Sequence, residues 1–203
     1  MTTQVTLARA ATFHGWRVVW AAFVLAVFGW GLGFYGPPVF LKVLHDQNGW
    51  PIALISTAVT LHFLVGAVAG ANMPALHRRF GATPVTRTCA TAMATGLILW
   101  ATAREPCQMF AAAVLSGSGW GGMSAAALNA IVSPWFVRKR PAALGMAYNG
   151  GSIGGVIFSP LWVAAIATLG FAKRRDGDRG HYAHNPLVTL RPLFRPNARA
   201  YGA

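Results

Sequence analysis

The sequence predicts an all-α, polytopic membrane protein of about five transmembrane helices, and three observations carry that prediction. Of its 203 residues, 55% are apolar and only 10% are charged, against roughly 45–50% and 25% in a soluble domain. The charged residues are separated by long gaps, and the basic ones collect on alternate connections between those gaps. A soluble domain of this length needs far more charge to cover its surface, which argues against a typical cytosolic enzyme. Glycine (23) and tryptophan (8) are abundant, as expected where helices pack closely and aromatic rings mark a lipid boundary.

Residues 1–15 form a short polar leader without the apolar core of a cleavable signal peptide. Residues 18–41 are 24 in a row without Asp, Glu, Lys or Arg, and residues 47–77 are 31. They place spans near 18–44 and 51–76. Residues 88–103 number only 16, but Val85 and Thr86 extend the stretch past Arg87 to a third span near 84–103. Residues 106–137 and 141–172 are 32 each, giving spans near 106–134 and 141–171. About 20 apolar residues cross the roughly 30 Å of hydrocarbon, and in that water-free layer the backbone must bond to itself, so each span is expected to be helical. The alternative is a soluble helical core, whose helices would carry a charged face; these do not. The transmembrane domain is therefore 16–172. Residues 173–203 are basic, carry Pro186, Pro192 and Pro196, and contain no apolar run long enough to span. That composition predicts a disordered tail.

With the N-terminus in the cytoplasm, the inner side holds eight basic residues: Arg9, Arg17, Arg78, Arg79, Arg87, Arg138, Lys139 and Arg140. The outer side, up to the fifth span, holds only Lys42 and Arg104. Eight against two obeys the positive-inside rule and predicts residence in a plasma membrane, or the inner membrane of a bacterium. Trp16, Trp50, Trp135 and Phe136 fall at predicted span ends, where an aromatic belt is expected. The net charge of +13 is thus mostly topological, and the nucleic-acid reading loses its footing. A tail with seven further basic residues on the outer side breaks the rule. The abrupt loss of membrane-type sequence there suggests a truncated or frame-changed product.

Glycines recur at a three-helix offset. Gly29, Gly31 and Gly33 punctuate the first span; Gly117, Gly119 and Gly121 punctuate the fourth. The second carries Gly66-x-x-x-Gly70 and the fifth Gly150-x-x-x-Gly154. Missing side chains permit close helix approach and bending, and glycine-interrupted partners in register are the mark of an internal repeat. Chance recurrence of a common membrane residue is the alternative.

Two loops on the basic side carry a family resemblance. PALHRRFGATPV resembles the G-x-L-x-D-R-x-G-R-R signature of the major facilitator superfamily: Leu76, Arg79 and Gly81 match, while Pro74 replaces the leading Gly and Arg78 replaces the acid. WFVRKRPAALGMAYNGGSIGG is similar to the F-x-[RK]-[RK]-R-x-x-A-x-G-x-A-x-x-G-x-x-x-G pattern of the monocarboxylate-type and oxalate/formate-type branches, with Phe136, Arg138, Lys139, Arg140, Ala143, Gly145, Ala147, Gly150 and Gly154 in register. The resemblance implies a major-facilitator-like bundle, here an incomplete six-helix half. It also implies secondary transport of a small solute, an organic anion being the favoured class, and a gating role for the two loops. The transporter would be inactive as this portion alone. Monocarboxylate carriers often place a Lys high in the first helix, where this register has Tyr35.

His62 is an ionisable group near the middle of the second span, and such a group is a candidate for function; the alternative is a neutral ring bonded to a neighbouring helix. Tyr35, Trp120, Asn129 and Asn149 are the other polar or aromatic candidates for a solute pathway, each weighed against packing. Arg138, Lys139 and Arg140 suit lipid headgroups and topology. No G-x-S-x-G, H-E-x-x-H, metal-ligand spacing or phosphate-binding loop occurs, so neither enzyme, cofactor nor metal is expected. The expected partners are the bilayer, a small solute and a membrane chain supplying missing helices. A small membrane-embedded interaction protein is the second reading.

Overall fold

The computed structural model describes residues 13–169. Helix α1 (Gly15–Phe28) passes into a π-helical turn (Gly29–Phe34) and on into α2 (Gly36–Asn48), so the first span is one rod with a change of winding inside it. Helices α3 (Ile52–Phe80) and α4 (Ala82–Thr102) form the second and third spans. The fourth is assembled from α5 (Pro106–Gly121), α6 (Ala125–Val132) and a 3-10 turn (Ser133–Trp135), and α7 (Arg140–Leu169) is the fifth. No strand occurs among the described residues. The expected tail 173–203 and nearly all of the leader 1–15 lie outside them.

Three helical stretches are individually long and apolar enough to cross a membrane: Gly15–Asn48, Ile52–Phe80 and Arg140–Ile166. Helix α4 falls short because it is rich in threonine, but four of its six threonine hydroxyls bond within the helix. Thr88, Thr91, Thr95 and Thr102 each donate to the carbonyl four residues back at 2.9–3.0 Å, which hides a polar group inside the helix's own ladder. The fourth span departs from the single helix expected over 106–134. Gly122–Ser124 break it, and the Ser124 hydroxyl donates to Gly121 O at 2.7 Å while standing as N-cap of α6.

Glycine decides which helices touch. On α5, a Cβ at Gly117 would strike the carbonyl of His62, and one at Gly121 would lie 2.8 Å from Gly66 O and 2.9 Å from Gly70 N of α3. On α7, a Cβ at Gly150 would strike Phe23 O and one at Gly154 would strike Val27 O, both on α1. Backbone therefore rests on backbone in two helix pairs, α3 with α5 and α1 with α7. The three-helix offset expected from the glycines would map the second and fourth spans onto the fifth and first, the two pairs that pack this way. Apolar clusters complete each: Val19, Ala22, Ala26, Leu128, Val132, Ala143 and Ala147 in one, and Ile55, Ala58, Trp100, Met109, Ala112 and Ala113 in the other.

At the basic end, Trp16 and Trp135 are exposed as an aromatic belt requires, but Phe136 is not. It is buried, its ring edge-on to Phe13 and Trp16 at 5.4 and 5.2 Å, and it fastens the start of α1 to the end of the fourth span. Cys89 is buried and Cys107 exposed, both as free thiols.

The glycine contacts set a direct test. Gly154→Leu is expected to lower the thermal midpoint of the detergent-solubilised protein, by an overpacking cost of about 1–3 kcal/mol. Gly145 lies on the same helix with nothing within 4 Å of an added Cβ, so Gly145→Leu is expected to leave the midpoint in place.

Candidate functional site

Pro37 and Pro38 set the geometry of the site. The carbonyl of Gly33 would ordinarily accept from the N–H four or five residues on, but those residues are the two prolines, which have none. The π-helical winding, seen in Tyr35 N donating to Trp30 O at 3.0 Å, leaves two carbonyls of the turn to be satisfied from outside. Trp162 of α7 donates its indole N–H to Gly31 O at 3.0 Å. His62 of α3 places Nε2 2.9 Å from Gly33 O. Irregular backbone inside a membrane is tolerated where neighbouring helices re-satisfy it, and here side chains from two helices do so.

His62 stands ten residues into α3, about 15 Å along its axis and so near the middle of a bilayer about 30 Å thick, and its exposure is 0%. Its other ring nitrogen, Nδ1, lies 2.8 Å from Ser116 Oγ, and Trp100 Nε1 donates to the same oxygen at 3.0 Å. Hydrogen-bond inventory orders the protons. A carbonyl only accepts, so Nε2 carries a hydrogen. A neutral ring then accepts at Nδ1, and the single hydroxyl proton of Ser116 is the donor, although Ala112 O also lies within 2.7 Å of that oxygen. The chain of donation runs from Trp100 on α4 through Ser116 on α5 and His62 on α3 to Gly33 in the first span. Four consecutive spans are tied through one buried ring.

The other expected pathway residues divide. Trp120 joins His62, its ring 5.9 Å from the imidazole and edge-on to Phe63 at 5.4 Å, wedged between Gly33 and Gly66. Its indole Nε1 is buried with no partner among the described residues. Tyr35 is linked to this group through Phe34, whose ring is 5.2 Å away, but its own side chain turns toward α7 and packs on Gly155. Asn129 and Asn149 are not part of the cluster; both are exposed, Asn129 accepting from the Ser133 hydroxyl. Among the packing glycines, Gly29 meets Met123, Gly31 meets Phe158, Gly33 and Gly66 meet Trp120, and Gly119 meets Met93.

Comparison with known proteins settles the family. The description of the Major Facilitator Superfamily matches residues 19–172, most of the chain. The chain belongs to the Major Facilitator Superfamily. Among curated relatives, monocarboxylate transporter 13 of Bos taurus is 29% identical over 150 residues, covering 73% of this chain and 34% of that protein. Monocarboxylate transporter 11 of Mus musculus is 29% identical over 162 residues, covering 77% and 35%. The chain spans about a third of the length of these relatives. No solved structure matches it. Family and relatives are those of transporters, in keeping with a non-enzymatic, integral membrane protein.

Within this superfamily member, the two loops singled out by sequence lie at one end of the bundle. Gly81 closes α3 in the left-handed region (φ 86°), a conformation side chains resist, and lets α4 start at the next residue. Leu76 packs under it against Met73, Val85, Cys89 and Ala127. The guanidinium of Arg79 lies over the Phe80 ring at 5.1 Å, and Arg138, Lys139 and Arg140 are exposed at the start of α7. Sequence reasoning missed Ser116, Trp100 and Trp162. The signal that finds them is the Pro37–Pro38 pair, which requires side-chain donors opposite the glycine run before it.

Replacing His62 by Ala is expected to destabilise the solubilised protein by about 1–3 kcal/mol for each buried group left unpaired. In a Pro37→Ala/Pro38→Ala background, where backbone N–H groups return, that penalty is expected to shrink. Strictly additive penalties in the double-mutant cycle would refute the assignment.

Proposed function

We propose that these helices form one wall of a pathway that carries a small organic anion, of the monocarboxylate class, across a membrane. The observation that carries the reading is a polar stripe on α7. Asn149, Ser152 and Ser159 are all exposed and, at i, i+3 and i+10, share one face. Tyr35 borders the stripe, lining a surface depression with Ser152, Val156 and Ser159. The stripe begins about 14 Å along α7 and runs for about 15 Å, which keeps it within the roughly 30 Å of hydrocarbon. Polar groups at that depth are costly against lipid and are found where water or another protein surface meets them.

Because Asn129, Asn149 and the serines are exposed, a pathway along them needs a second wall from outside the described residues, supplied by further helices of the same polypeptide or by another chain. The relatives' names as monocarboxylate transporters support the solute class. Neutral donors are available for a carboxylate: the Tyr35 hydroxyl, the Asn149 amide and the serines. The excess of basic residues at one end supports an orientation with the N-terminus in the cytoplasm.

Deleting the gene from its own host is expected to lower uptake of at least one labelled short-chain monocarboxylate. Re-expression is expected to restore uptake, and re-expression of Asn149→Leu at equal membrane abundance to restore severalfold less. Unchanged uptake across the whole panel would sink the reading. The purified chain reconstituted alone is expected to show no uptake above protein-free vesicles; uptake there would mean that no second wall is needed.

A further inference from the structure

We infer that the basic end of the bundle is a binding surface for anionic phospholipid headgroups, which supply the counter-charge that the described residues at that end do not. The inference rests on the membrane-spanning character of the helices and is independent of any solute. Among the described residues the acids are Asp46 and Glu105, and both lie at the opposite end. There Lys42 Nζ meets Asp46 Oδ2 at 2.8 Å, and Arg104 is followed directly by Glu105. That end is balanced, two basic residues against two acids. The basic end carries Arg17 on α1, Arg78 and Arg79 at the close of α3, Arg87 on α4, and residues 138–140 before and at the start of α7, all exposed, with no acid among them. At position 78, moreover, the loop has Arg where the pattern it resembles has an acid.

Packing gathers these groups on one rim. The buried Phe136 ring between Phe13 and Trp16 holds residues 138–140 beside the start of α1. Met73, Val85 and Ala127 hold the end of α3 and the start of α4 against α6. Exposed apolar side chains share the rim: Trp16, Trp135, Phe80 and Val137, the last 93% exposed. Tryptophan at this level marks the boundary between hydrocarbon and headgroups, so the guanidinium groups stand at phosphate depth. Guanidinium binds phosphate through paired, charge-assisted hydrogen bonds. The basic groups come from four helices and are spread along the rim, not convergent on one pocket, which suits several headgroups side by side better than one soluble anion.

The test uses the full chain in phosphatidylcholine vesicles containing brominated phosphatidylglycerol or, at equal mole fraction, brominated phosphatidylcholine, with quenching of tryptophan fluorescence as the readout. The anionic lipid is expected to be favoured at least about fivefold, the contribution of roughly one basic residue near an anionic surface, and the preference is expected to weaken with salt. The variant R17Q/R78Q/R79Q/R87Q/R138Q/K139Q/R140Q is expected to abolish it, and the pairs R78Q/R79Q and R138Q/R140Q, less demanding on folding, to remove it in part. R78K/R79K/R138K/R140K and K42Q/R104Q are expected to keep it. Equal quenching by the two lipids would overturn the inference. So would a preference that survives the sevenfold glutamine variant, which would assign it to residues outside 13–169, or one abolished by inorganic phosphate but not by chloride of equal ionic strength, which would assign it to a soluble anion.

Discussion

The bond from His62 to the carbonyl of Gly33 is the constraint on which the rest of the bundle depends. Two adjacent prolines forbid the first span from closing its own ladder, and a carbonyl left open at mid-membrane has no water to turn to. The bundle answers with an imidazole from the next span, itself held by a serine and a tryptophan from the two after that. The histidine that sequence alone offers as a pathway candidate is therefore a tie between helices in this arrangement, with both ring nitrogens engaged. Trp120 beside it, with its N–H unmatched, is the group in the cluster that still has bonding capacity to offer.

Close packing of glycine sets the scale at which that tie can work. The hydrogen bond of 2.9 Å from His62 to Gly33 joins α3 to the first span, and each of those two helices is itself seated against a glycine-bearing partner. Carbonyls of one helix lie where Cβ atoms of the other would be, at Gly117 and Gly121 on one side and Gly150 and Gly154 on the other. The same construction appears twice, once between α3 and α5 and once between α1 and α7.

Much of this was legible in the sequence because charge is expensive in lipid: long gaps between charged residues point to a bundle of apolar helices, and helices without strands are what the described residues form. The glycines were legible for a similar reason, since small residues at fixed spacing have few roles besides contact. The interruption at Gly122–Ser124 was not. The glycines of GSGWGGMS permit a bend anywhere along the segment, and what accompanies the break where it occurs is tertiary: Gly122 abuts the Cys89 side chain and Met123 fills the space over Gly29. Asn149 was named from sequence, but its companions on the α7 stripe were overlooked because serine interrupts no hydropathy gap; only their face on the folded helix separates Ser152 and Ser159 from lipid-compatible neighbours. Phe136 was misread as a belt residue because position along the chain gives depth but not direction.

The joint in the fourth span has a mechanical consequence. Helix α5 is bound to α3 and α4, whereas α6 also touches α1 and α7. The two rods thus share α3 but differ in their other neighbours, and they meet across three residues, with Ser124 stopping one and starting the other. Any sliding of the α1–α7 pair past the α3–α4–α5 group would concentrate its torsion at that knuckle, leaving the glycine seams on either side intact.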